Sequence, residues 1–168
     1  MNEAIGRGVS WLTLAMVLVT FVVVVLRYVF AIGWVWLQES YVWMHGIVFM
    51  VGAGYTLLHN GHVRVDVFYR PAGPRYKAVV DFLGAFVLLL PMVTLVFVMG
   101  FGYVASSWGM LEESREAGGL PGLFLLKTVI LAFCVLTGLQ GLSLAARGAL
   151  VLSGHPEFLA EAEEAEKF

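Results

Sequence analysis

The densest chemistry in the chain sits in LLHNGHVRVDVFYRPAGPRYK, residues 57–77, which gathers His59, His62, Arg64, Asp66, Arg70, Arg75 and Lys77 within a sequence that is 60% hydrophobic. Polar residues at this density mark either an active site or a surface. Arg64 and Asp66 stand two apart, close enough for a salt bridge or a catalytic pair. No nucleophile–base arrangement, phosphate-binding glycine loop or metal-ligand cluster accompanies them, which argues against catalysis. His62, Arg64 and Asp66 alternate with Val63, Val65 and Val67. Period-two alternation predicts an extended segment with one polar and one apolar face. Two readings follow for the charges: a solvated loop touching lipid headgroups, or a specific contact with another subunit that covers the valine face.

His45 is the one histidine inside an apolar run. An ionisable group there is either a hydrogen-bonding partner for a neighbouring helix or a functional group. A b-type haem needs a second axial histidine facing it, and His59 and His62 lie about 14 and 17 residues further on, at the opposite membrane face, while His155 is in the tail. No cofactor is therefore expected. The single cysteine, Cys134, allows no intrachain disulfide and reads as a small buried hydrophobe. Carboxylates are absent from the interior of every apolar run, with Glu39 and Asp81 only at edges. Proton-coupled carriers keep an ionisable group at mid-membrane, and small four-helix exporters depend on a glutamate in the first helix, where this chain offers only Thr13 and Thr20.

The elements that position these residues are set by hydropathy. Charged residues make up 13% of the 168, against about 25% in a soluble domain, and mean hydropathy is +0.87. The net charge of -2 and the lack of a basic stripe argue against nucleic acid. Charge-free runs from Gly8 to Leu26, Ser40 to Leu58 and Thr128 to Ala146 each span roughly 19 residues, enough for the ~30 Å hydrocarbon core. The run from Phe82 to Leu111 is longer and contains Pro91, whose missing N–H leaves the Val87 carbonyl unpaired and predicts a bend. The fold class is all-α membrane protein, with a four-helix transmembrane domain over 1–150 (helices about 8–30, 40–58, 80–111 and 125–148) and an acidic tail over 151–168. The first run exceeds a signal-peptide core and lacks a small-x-small cleavage site, so it is expected to be a retained span.

Arg7, Arg64, Arg70, Arg75, Lys77 and Arg147 fall on the side of the termini, against Arg27, Arg115 and Lys127 on the other, which places both termini in the cytoplasm. Residues 57–77 are then a cytoplasmic loop, entered where Asn60-Gly61 ends the second helix. Trp34, Trp36, Tyr41, Trp43 and Trp108 are expected as anchors at the outer interface. Helix four presents Thr137, Gly141, Ala145 and Ala149 at spacing four, and helix three Gly102 and Ser106. Such faces pack closely, either within the bundle or against a partner.

Four stretches carry a resemblance to a known family: RYVF at 27–30, WLQES at 36–40, VFMVGAGYTLLHNGHVRVDVFY at 48–69 and SREAGGLPGLFLLK at 114–127. In this order, between four spans, they resemble the small Q-type (DctQ) subunit of tripartite ATP-independent periplasmic (TRAP) transporters over roughly residues 5–150, most closely the mannitol/chloroaromatic branch. The resemblance implies a subunit of the bacterial inner membrane that is not an enzyme. It would bind a large permease subunit, which carries the substrate and sodium sites, while a periplasmic binding protein delivers a small organic acid. The small subunit would enlarge the static scaffold. On that reading His62, Arg64, Asp66, Arg27, Glu39, Gly141 and Ala145 are candidates for subunit contact or a cytoplasmic clamp. Glu112, Glu113, Arg115 and Glu116 are candidates for docking the binding protein. Two other classes stay open on the residues alone: the membrane anchor of a redox enzyme, and a self-contained exporter.

Overall fold

The computed structural model describes residues 1–62, 69 and 71–155. Among them the regular elements are all helical, and four are long and apolar enough to cross a membrane. Helix α1 is Asn2–Val29, α2 is Val35–Leu58 and α4 is Leu123–Leu152. Helix α3 runs as Pro74–Leu83, a widened stretch Gly84–Leu89, and Leu90–Gly109.

The charge-free runs set a minimum length that the helices exceed. Helix α1 starts at Asn2 rather than near residue 8 because Glu3 and Arg7 pair across one turn at 3.1 Å, so both charges are compatible with helix. Helix α2 starts at Val35 rather than near residue 40, and WLQES is its first turns. Glu39 does not end the apolar helix there because its carboxylate is satisfied by another part of the chain. The valine alternation, Arg64 and Asp66 lie outside the described residues, as does most of the acidic tail, 156–168.

All four helices stop by the same device. Ala31, Asn60, Leu111 and Gly154 take left-handed φ values of 55°, 52°, 46° and 104°. The next N–H bonds back to the last turn in each case, six residues at Ile32 to Leu26 O (2.9 Å) and five at Gly61 to Thr56 O (2.8 Å), Glu112 to Ser107 O (3.1 Å) and His155 to Leu150 O (3.2 Å). Each bond satisfies a carbonyl that the helix end would orphan. At Asn60-Gly61, asparagine supplies the left-handed conformation and glycine closes the bond.

Pro91 acts upstream of itself. Lacking an N–H, it cannot continue the ladder of the preceding turns, and the helix widens over Gly84–Leu89 until the Leu90 N–H reaches the Ala85 carbonyl five residues back.

Packing follows the order α1, α2, α4, α3, so the expected bundle is an open row in which α1 leans chiefly on α2. The tightest seam joins α3 to α4 through small side chains: Ala78, Ala85 and Val93 on one helix, Thr137, Gly141 and Ala145 on the other, all buried. A Cβ on Gly148 would sit 3.0 Å from both the Ala78 carbonyl oxygen and the Phe82 Cβ, so the backbones approach as closely as glycine permits. Ala149 is exposed and Gly148 takes its place on the seam, because a step of four drifts off a face that repeats every 3.6 residues. Gly102 and Ser106 are also exposed. Helix α3 buries Val104 and Ser107 instead.

Candidate functional site

The hairpin over residues 110–122 is held by two glutamates. Glu39, one turn into α2, accepts the Ser114 hydroxyl on one carboxylate oxygen and the Leu120 N–H on the other at 2.6 Å. Ser114 N–H bonds Leu120 O at 3.3 Å, which closes the loop around that carboxylate. A Cβ on Gly119 would lie 2.7 Å from Glu39 Oε2, so the turn accommodates the glutamate only because residue 119 is glycine. A sequence separation of 81 residues between the partners hides this bracket from sequence reading.

Glu112 is the second bracket. It accepts the Ser107 hydroxyl at 2.7 Å and forms an ion pair with Lys127, both side chains mostly shielded, at 18% and 12% exposure. Lys127 Nζ also lies 4.0 Å from the centroid of the Tyr103 ring. The Lys127 ammonium, then the Ser107 hydroxyl, hold the Glu112 carboxyl below the usual carboxylate range, with a smaller contribution from Arg115. Of the four docking candidates, Glu112 is thus engaged within the chain, while Glu113, Arg115 and Glu116 are exposed.

A groove of 580 Å³ opens beside this bracket. Helix α4 forms its floor through Leu126, Val129 and Ile130, with Val42, His45, Gly46 and Met50 of α2 on one side and Tyr103 of α3 on the other. His45 is exposed in it, makes a tilted ring contact with Phe49 at 6.1 Å, and has no hydrogen-bond partner among the described residues. The expected bond from His45 to a neighbouring helix is therefore not formed among the described residues.

The outer aromatics fall into two groups. Trp34 and Trp36 stack at 5.9 Å and are roughly half-exposed at the start of α2, with Tyr41 and Trp43 further along and partly covered. Trp108 donates its indole N–H to Thr128 Oγ1 at 2.9 Å and meets Phe124 edge-on, tying the end of α3 to α4.

At the opposite end, the end of the termini, Asn2 is wedged between α2 and α4. Its amide donates to Gln140 Oε1 at 3.2 Å, Leu136 O at 3.3 Å and Gly54 O at 3.5 Å, while Asn2 Oδ1 and the buried Thr137 hydroxyl have no partner among the described residues. His59 Nε2 lies 2.7 Å from Glu3, which also holds Arg7. This places His59 in a clip on the N-terminal turn. His62 is exposed beside it, and Tyr69 donates to Asp81 at 2.7 Å. Arg27 is exposed in the last turn of α1, where a cation complements the helix C-terminus. Gly141 and Ala145 are buried on the α3 seam, inside the chain. Neither the buried Asn2 nor the Glu3–His59 pair was readable from sequence, since both need the first turn folded against residues more than 50 positions away.

Among the described residues no group of three or more His, Cys, Asp or Glu side chains is placed to hold a metal ion. The geometry of the described residues is that of brackets and seams. Residues 16–151 match the family model described as "Tripartite ATP-independent periplasmic transporters, DctQ component". No curated protein matches the chain.

Proposed function

The chain belongs to the DctQ family and is a multi-pass small subunit of a TRAP-type transporter; from that premise we propose that it is a stator, a non-catalytic scaffold for the large permease subunit. The large subunit carries the sodium and substrate sites and takes up a small organic acid delivered by a periplasmic binding protein. The mannitol/chloroaromatic branch is the closest fit to its motifs. Both termini lie in the cytoplasm and the four helices cross the bacterial inner membrane, in keeping with the excess of Lys and Arg on the terminal side.

The open row of helices is the observation that carries this reading. Its cavities lie in grooves between neighbouring helices, and α1 buries none of its apolar window within the chain. Such a row offers wide faces for a larger membrane partner to cover. Carboxylates stay near the helix ends, Glu39 bonded to the hairpin and Asp81 to Tyr69, away from mid-membrane where a coupling group would work. In this role rigidity is the contribution. The α3–α4 seam and the two glutamate brackets supply it, and the ion gradient acting on the partner supplies about 2.3 kcal/mol per charge per 100 mV.

Mild-detergent purification of the tagged chain from its native membrane tests the proposal. A stoichiometric, larger polytopic partner is the expected companion. Recovery alone as a defined oligomer, or with soluble redox subunits, rejects it. The cytoplasmic clamp is tested separately: Arg64→Ala with Asp66→Ala should lower complex yield or uptake, and unchanged values for both discard the clamp. Charge reversal at Glu113 and Glu116 should slow delivery from the binding protein if those residues form its landing surface.

A further inference from the structure

The groove at the hairpin end is amphipathic along the membrane depth. Its upper tier holds Glu112, Arg115, Lys127, Tyr103 and His45, and its lower tier is apolar, ending at Met50 and Ile130. Gly46 and Leu126 face each other across the groove, since a Cβ on Gly46 would lie 3.6 Å from Leu126 Cδ1. From Val42 to Met50 the groove descends about 12 Å at 1.5 Å per residue. Glu112 is neutralised by Lys127, whereas Arg115 has no ion pair among the described residues, so the groove lining carries one positive charge in excess, with Glu113 and Glu116 exposed outside it. The imidazole of His45 has polar capacity that nothing among the described residues uses.

We propose that this groove holds one anionic phospholipid, its phosphate beside Arg115, Lys127 and His45 and one acyl chain lying along Met50, Leu126 and Ile130. A protein segment would have to bring a carboxylate at one end and a purely apolar stretch below it. A phospholipid already has that polarity gradient, in the same orientation, wherever this depth meets a bilayer. The volume lies within the ordinary range of about 300–1,000 Å³ for small-molecule sites and admits the headgroup region with part of one chain. The groove alone carries this proposal, which does not depend on the stator reading.

Native mass spectrometry of the delipidated full chain, titrated with dioleoylphosphatidylglycerol, tests it. One adduct should survive activation that strips the rest, and dioleoylphosphatidylcholine should bind more weakly. Arg115→Gln should reduce affinity about fivefold, the share of one interfacial cation. Val42→Trp introduces bulk from an exposed position into the groove without touching a charge and should abolish the retained adduct. A ladder of equivalent adducts unchanged by either variant overturns the proposal. So does displacement by an equal concentration of inorganic phosphate, which would make it a free-anion site. In the assembled transporter, a His45→Cys cross-link to protein with no phospholipid retained would assign the groove to a partner subunit and overturn it equally.

Discussion

Helix α1 and helix α4 differ in a way that reverses intuition from soluble proteins. Helix α1 is the more apolar of the two, with a near-continuous run of valine, leucine and phenylalanine, yet none of its most apolar window is buried within the chain. Helix α4 interrupts its leucines with Thr137, Gly138, Gln140, Gly141 and Gly148 and buries the largest share of any span. Lipid tails are as apolar as leucine, so hydropathy provides no drive for one helix to leave lipid for another. Close approach and interhelical hydrogen bonds do, and α4 has the residues for both. What is most hydrophobic here faces outward, and what is small or weakly polar faces in.

This contrast can be broken experimentally. Gly148→Leu should cost about 3 kcal/mol, the upper range for overpacking, because a carbonyl and a Cβ rather than a flexible side-chain tip oppose it. Denaturant unfolding in micelles measures this, and Gly141→Leu should cost less, since Leu89 Cδ2 is the atom it meets first. Equal costs would mean that the seam is looser than its contacts indicate. Glu39→Ala removes two charge-assisted bonds to the hairpin that delivers α4 and should cost about 2 kcal/mol, with increased proteolysis near Gly118.

A smaller, pH-dependent effect is expected at Glu112. Its carboxyl titrates lower in the folded chain than the ordinary value of 4.5, so the stabilisation is complete above that value. As pH falls below it the unfolded chain takes up the proton first, and the contribution fades until the folded carboxyl is itself protonated. Trp108 fluorescence through acid titration follows the loss, which Glu112→Gln should remove. The least effect belongs to α1: Phe21→Ala, at 65% exposure, should shift the stability of the isolated chain by less than about 0.5 kcal/mol. A loss of 2 kcal/mol there would refute the contrast.

The spans were legible because charges such as Arg27 and Lys127 punctuate long apolar runs. Helix starts were less so, since Glu3 and Glu39 are each satisfied by partners and need not end a helix. Small residues marked both Gly141 and Gly102 as contact candidates, but spacing alone cannot say which face of a helix meets its neighbour. The brackets at Glu39 and Glu112 and the groove beside His45 depend on which helices lie side by side. In an open row ordered α1, α2, α4, α3, adjacency departs from chain order.

The widened stretch Gly84–Leu89 also corrects a phase. In an unbroken α-helix seven residues return to nearly the same direction, and eight overshoot it by about 80°. Ala78 and Ala85 are seven apart, Ala85 and Val93 eight, yet all three point into the seam, at 1%, 2% and 4% exposure. Met92, seven residues after Ala85 and so brought inward by an unbroken helix, is 45% exposed. The stretch absorbs one residue of rotation, so the two halves of α3 present a single edge to α4. Shortening it by one residue would rotate Ala78 and Phe82 about 100° away from Gly148 while leaving the remaining side chains unchanged in kind.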